Sequence, residues 1–172
     1  CINFLFNPGL PSSPSAWHID PVANVGMFFD DAVHAADFLY WIMGKPESVM
    51  AEIDNVLTSV APDDTGVAIY RFPGGAFGVL FNASVTLAGE NTTEVYGDQG
   101  AIIQNWDDGV STPHAPKGVA PLKLYREGKW EEFPFEVPDS HGRRIQAVPR
   151  PFIEMLLNHG QPTVTARDGK VS

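Results

Sequence analysis

The 172 residues are enough to bury one sizeable core, and 44% hydrophobic against 19% charged residues is the balance of a soluble globular chain. A formal net charge of -10, with eleven scattered Lys and Arg residues, argues against nucleic acid and anionic membranes, since both demand a basic face. The single cysteine, Cys1, builds neither a disulfide framework nor a cysteine metal site, and no signal segment or membrane-length apolar run occurs, so a cytoplasmic protein is expected.

Cys1-Ile2-Asn3-Phe4-Leu5-Phe6 lacks an initiator Met and opens directly on strand-like alternation. The chain therefore reads as a piece of something longer. Residues 2–6 are expected as a strand, followed by an extended loop imposed by Pro8, Gly9, Pro11 and Pro14. Trp17-His18-Ile19-Asp20-Pro21 closes that loop, and Asn24-Val25-Gly26 leads into a helix. Phe29, Val33, Ala36, Leu39, Tyr40 and Met43 recur at helical spacings, which predicts a helix from Phe28 to Met43. Gly44 suits the position just past its end, and Pro46 stops it.

Beyond Pro46 the period falls to two. Ser48–Val60 reads as a long strand with Val49, Ala51, Ile53 and Val56 on a buried face. Asp63-Asp64-Thr65-Gly66 is turn chemistry, Val67–Phe72 a strand, and Pro73-Gly74-Gly75 a hairpin turn. Ala76–Val85, Asn91–Tyr96 and Ala101–Gln104 continue as strands, giving a meander of consecutive neighbours. After a polar loop over 107–118, a hairpin spans Leu122–Arg126 and Trp130–Phe135. A second helix is expected from Ile145 to Leu157, disturbed at its start by Pro149 and Pro151, and Arg167-Asp168-Gly169 looks like the entry to another. The fold class is therefore α+β: an open, mostly antiparallel sheet with helices on one face.

The chemistry concentrates in the first helix. Asp30 and His34 stand one turn apart on the same side, with Asp37 a turn further on. A carboxylate beside an imidazole fixes its tautomer and raises its basicity, and His titrates closest to neutral pH. Acidic residues at a helix start also suit the macrodipole, so the spacing alone leaves a structural explanation open. Asp30, His34 and Asp37 are too weak a pattern for a metal site, and none is assigned. Gly74-Gly75-Ala76-Phe77-Gly78 is no dinucleotide fingerprint, because a strand follows where a helix is needed. Gly-x-Ser-x-Gly and a nucleophilic cysteine context are absent, so covalent hydrolysis has no support. His114 and His159 read as loop residues. The sequons Asn82-Ala83-Ser84 and Asn91-Thr92-Thr93 fall in strand-like sequence and carry little weight.

Several motifs occur in a telling order. They are Trp17, Asp20-Pro21, Gly26, the run Asp30-Asp31-Ala32-Val33-His34-Ala35-Ala36-Asp37, and Trp41-Ile42-Met43-Gly44-Lys45-Pro46. Asp63-Asp64-Thr65, Arg71-Phe72-Pro73-Gly74-Gly75-Ala76 and Glu94-Val95-Tyr96-Gly97-Asp98-Gln99-Gly100-Ala101 follow, with weaker echoes in Phe152–Gly160 and 163–169. Together they resemble the C-terminal domain of the Gfo/Idh/MocA oxidoreductases, the glucose–fructose oxidoreductase and inositol dehydrogenase family. Ala32 departs from that pattern, where Gly is usual. The hairpin region does not match.

The resemblance implies a sheet domain of the glyceraldehyde-3-phosphate-dehydrogenase C-terminal type. It also implies that residues 1–172 form a single substrate-binding and oligomerising domain, lacking an N-terminal Rossmann domain and its own C-terminal end. By the same resemblance Asp30 and His34 match the catalytic Asp and His that handle the proton of a sugar, cyclitol or related polyol hydroxyl. The catalytic lysine and the site for NAD or NADP would lie in the Rossmann domain, so no cofactor-binding residue is assigned here. Trp17, His18 and His141 are candidates to line the substrate pocket, and Asp31 and Asp37 to support the pair. The implied partners are the polyol, the Rossmann domain and further copies through the open sheet face. Two alternatives stay open: a non-catalytic oligomerisation domain, and a NAD-dependent glycosidase or lyase on the same scaffold.

Overall fold

A computed structural model describes residues 2–6, 20, 22–23, 26–56, 62–83, 91–106, 120–134 and 145–171. They fall into two compact units, Cys1–Phe135 and Glu136–Ser172. The first unit holds strands β1 (Ile2–Phe6), β2 (Ser48–Asp54), β3 (Thr65–Arg71), β4 (Phe77–Ala83), β5 (Asn91–Tyr96), β6 (Gly100–Trp106), β7 (Leu122–Arg126) and β8 (Lys129–Phe133), with helix α1 (Met27–Met43) between β1 and β2. The second holds α2 (Arg150–Leu157) and α3 (Ala166–Val171).

The strands form one eight-stranded sheet in the order β2-β3-β4-β1-β5-β6-β7-β8. Every pairing is antiparallel except β1 with β4, which is parallel. The expected uninterrupted meander is therefore two meanders, β2-β3-β4 and β5 to β8, with β1 inserted between them. Local turns such as Pro73–Gly75 and Glu127-Gly128 build the hairpins. The β1 insertion is a long-range pairing, Ile2 with Val79 and Glu94, and has no local signal.

Helix α1 lies across β3 and β4. Ala32, Ala35 and Leu39 are buried against Ala68, Phe72 and Leu80, with Phe28, Ala36, Met43, Tyr70 and Ala76 packed around them. Small residues on both sides permit the close approach. A Cβ on Gly66 would stand 2.3 Å from the Phe28 ring, and one on Gly78 would stand 3.0 Å from Phe72 and 3.1 Å from Leu39. Ala32 is only 4% exposed, so alanine is as large a residue as this contact tolerates comfortably.

By register, Val49, Ala51 and Ile53 share the α1 side of the sheet with Tyr70, Ala68 and Gly66. They are nevertheless exposed, as is the whole of β2, because the helix covers β3 and β4 and β2 lies at the sheet edge. This corrects the expectation of a buried face on that strand. Val56 is also exposed, and residues 57–60 lie outside the described residues.

In the second unit residues 145–147 are helical, as expected, a turn at 148–149 interrupts them, and α2 follows with Pro149 at its N-cap and Pro151 in its first turn, so the disturbance lies where the prolines predict it. His159, with φ 51°, follows its end. Thr165 and Asp168 then start α3 with a reciprocal cap: the Thr165 N–H and hydroxyl both donate to Asp168 Oδ2 at 2.7 Å, and the Asp168 N–H donates back at 3.4 Å. These bonds hold the exposed Asp168 carboxyl below its ordinary range. Among the described residues no helix is long and apolar enough to cross a membrane.

Candidate active site

Helix α1 has two chemically different sides. Its buried stripe, Ala32, Ala35 and Leu39, faces the sheet. At 3.6 residues per turn, Asp30, His34, Asp37 and Trp41 fall together on the opposite side. Asp30 is half-buried, His34 and Asp37 are exposed, and Trp41 is 76% exposed. The Trp41 ring lies 5.9 Å from that of Phe38. The structure thus places the expected carboxylate–imidazole pair on one helix side, turned away from the core. Among the described residues no hydrogen bond joins the Asp30 carboxyl to the His34 imidazole, and such bonds often tighten only around bound substrate. Asp31 and Asp37 each engage neighbouring groups. Trp17, His18 and His141, the candidate pocket residues, lie outside the described residues, as does His114.

The start of α1 is held by a residue that the sequence presents only as part of a turn. Gly26 precedes the helix with φ 137° and offers no side-chain cap. Instead the Asp63 carboxylate, 35 residues further along, accepts the Phe28 N–H at 2.7 Å through Oδ1. A Cβ on Gly26 would stand 1.7 Å from Asp63 Oδ2, so both the backbone conformation and the packing require glycine there. Asp63 is 8% exposed.

Its neighbour Asp64, 1% exposed, ties the same loop down. Asp64 Oδ1 accepts the Val56 N–H and the Thr65 hydroxyl, each at 2.9 Å, while the Asp64 N–H donates to the Asp54 carbonyl at 3.1 Å. Of these two buried carboxylates, Asp63 connects the β2–β3 loop to the first turn of α1 and Asp64 holds the loop itself. The signal available in sequence was the Asp63-Asp64-Thr65 motif itself, but nothing local shows which helix it serves.

The sheet face away from α1 is open and apolar. Register puts Met50, Ile69, Phe77, Tyr96, Tyr125 and Trp130 on it, and each is exposed. Arg71 stacks over Phe77 at 4.6 Å, and the Tyr125 and Trp130 rings are 5.3 Å apart. On β5 the Tyr96 hydroxyl donates to Glu94, which also accepts from Thr92 at 3.1 Å. Asn82 and Asn91, the two sequon asparagines, are buried in strands. Among the described residues no three His, Cys, Asp or Glu side chains gather as a metal site. The only paired glycines there, Gly74-Gly75, sit in the turn between two antiparallel strands, so these residues form no dinucleotide cradle.

Known proteins share this fold. Residues 2–103 match the family model of the GFO/IDH/MocA C-terminal domain. The chain is 34% identical over 157 residues to a myo-inositol 2-dehydrogenase of Thermotoga maritima, covering 86% of this chain and 43% of that protein. It therefore spans less than half the length of that curated relative. Among solved structures, a levoglucosan dehydrogenase in complex with NADH and L-sorbose superposes with a TM-score of 0.74 at 16% identity, over 99% of this chain and 53% of the other. An oxidoreductase of Agrobacterium radiobacter in complex with NAD+, L-tartaric acid and magnesium superposes with a TM-score of 0.74 at 12% identity, over 99% and 50%. At such identities the superpositions speak for the fold. The match over residues 2–103 carries the assignment, and the chain belongs to the GFO/IDH/MocA family, of which it is a C-terminal domain.

Proposed function

We propose that this chain is the substrate-binding and proton-handling part of an NAD(P)-dependent oxidoreductase acting on a sugar, cyclitol or related polyol. The carrying observation is the outward side of α1, where Asp30 and His34 stand one turn apart beside the exposed Trp41. In the oxidative direction His34 takes the proton of the substrate hydroxyl and returns one to the carbonyl oxygen in the reverse direction. Asp30 orients the imidazole and stabilises its charged form. The nicotinamide, when bound, exchanges hydride with the adjacent carbon. By the family resemblance, the cofactor and a further catalytic lysine are assigned to an N-terminal Rossmann domain. Residues 1–172 then act as one functional domain, with Trp17, His18 and His141 as candidates for the pocket wall.

The open apolar face is the surface for pairing with further copies. It carries four exposed aromatic side chains, Phe77, Tyr96, Tyr125 and Trp130, the residue types that supply most contact area at interfaces. A cytoplasmic location accompanies this reading.

The decisive experiment is His34→Ala in the full-length protein, assayed with NAD and NADP against a panel that includes myo-inositol. We expect kcat to fall by about 10²–10⁴, the usual worth of a positioned acid–base group. Unchanged turnover would leave the domain a non-catalytic oligomerisation module. Product analysis on the same panel separates simple oxidation from a glycosidase or lyase reaction.

A further inference from the structure

We infer that Asp63 is a positioning residue for the Asp30/His34 pair. The inference rests on the catalytic reading above and adds the group that keeps the pair in place. Asp30 lies in the first turn of α1, where four backbone N–H groups have no partner within the helix and fraying begins. Gly26 cannot supply a side-chain cap. One intrahelical bond, from the Asp30 N–H to the Gly26 carbonyl at 3.0 Å, closes the turn. The Asp63 carboxylate holds its middle at Phe28 and packs directly against Gly26.

That carboxylate is itself immobile, because Asp64 anchors the loop through its bonds with Val56, Thr65 and Asp54. The first turn therefore cannot shift without breaking a buried, charge-assisted hydrogen bond. The core contacts of α1 begin at Phe28 and Ala32, and Asp30 and His34 themselves face away from them. Packing fixes the helix axis, and Asp63 fixes the turn that carries Asp30. A displacement of about 1 Å is enough to cost on the order of 10²-fold in rate.

Three variants of the full-length enzyme test this, assayed with the polyol of highest turnover in the panel. Asp63→Ala is expected to lower kcat per folded site about ten- to a hundredfold while KM changes less than about threefold. Asp63→Asn keeps the acceptor for Phe28 and should restore kcat to within about threefold of the parent, even though the charge is gone. In a His34→Ala background, Asp63→Ala should cost nothing further, because the two act through one group. A purely structural role would lower thermal stability in both Asp63 variants and leave kcat per folded site unmoved. That result overturns the inference, as does a full additional loss in the double variant.

If Asp63→Ala does not fold, Asp63→Leu withdraws the acceptor while keeping a side chain of similar shape. Failure of both to fold, beside a folded and active Asp63→Asn, assigns Asp63 to the fold alone and also overturns the inference. The two readings fail separately. Unchanged turnover in His34→Ala, or no turnover with any polyol, removes the catalytic reading and this inference with it. An inactive His34→Ala beside a fully active Asp63→Ala removes only the inference.

Discussion

The two meanders of the sheet are built on different terms. Residues 68–83 and α1 contribute every buried hydrophobic side chain among the described residues: Ala32, Ala35, Leu39, Ala68, Phe72 and Leu80 packed together beneath the helix, and Ala83 on the other side of the sheet by register. Strands β5 to β8 bury only polar side chains there, Asn91, Thr92, Thr93 and Asn105, and nothing in β7 or β8 is fully buried. The first region is held by apolar packing at close range. The second is held by its backbone ladders, by short polar links such as Thr92 and Tyr96 to Glu94, and by the exposed Arg126–Glu131 pair at 2.9 Å. The proposed catalytic side chains sit on the region with the dense core, which suits a site needing fixed geometry. The open aromatic face extends into the other region, where local adjustment costs less.

Substitution at one leucine in each region tests this difference most strongly. Leu80→Ala removes a side chain with no exposure from under α1 and should destabilise by about 2–5 kcal/mol. Leu124→Ala, half-buried in β7, should cost about 1 kcal/mol or less. Equal losses in denaturant titrations of the two variants would break the comparison.

Gly66→Ala comes next. Its new methyl must displace the Phe28 ring, and a loss of about 1–3 kcal/mol is expected from such overpacking. Because Phe28 lies in the turn that carries Asp30, kcat should fall with stability, whereas Gly97→Ala, whose new methyl would stand 3.7 Å from the Gly100 carbonyl oxygen, should leave kcat unmoved.

The smallest effect lies on β5. The hydrogen bond to Glu94, then burial and the Glu94 charge, raise the Tyr96 phenol above its ordinary 10.0. A raised folded value means that this contribution is fully present below about pH 10 and is lost as pH rises through the folded value. Glu94→Gln should bring the Tyr96 titration, followed by phenolate absorbance, down towards the ordinary range. No movement would remove the link between these two residues from the account of the second region.

How much of this could be read in advance depended on range. Helix α1 was legible because Phe29, Val33, Ala36, Leu39 and Met43 repeat at helical spacing and Gly44 and Pro46 end it; the structure gives Met27–Met43. Its hairpin strands were legible from turn residues such as Pro73-Gly74-Gly75. Asp30 and His34 could be singled out because a helix brings i and i+4 together by local geometry alone. The exposure of β2 was hidden, since alternation reports which side a residue faces and not whether anything covers that side. The role of Asp63 was hidden for a related reason, because its partner Phe28 is 35 residues away.

Strand β1 has a consequence for the order in which the molecule can assemble. It pairs with β4 on one side and β5 on the other, and it alone connects the two meanders through backbone hydrogen bonds. The ribosome makes it before either neighbour, so neither pairing can form until β4 and β5 have emerged. Each half-sheet is rich in sequence-local contacts and can form quickly. Their union raises the contact order and must meet the loop-closure cost of returning Ile2 to Val79. The pairing of one five-residue strand thus carries the largest loop-closure cost in the sheet, and without it the two meanders have no backbone link.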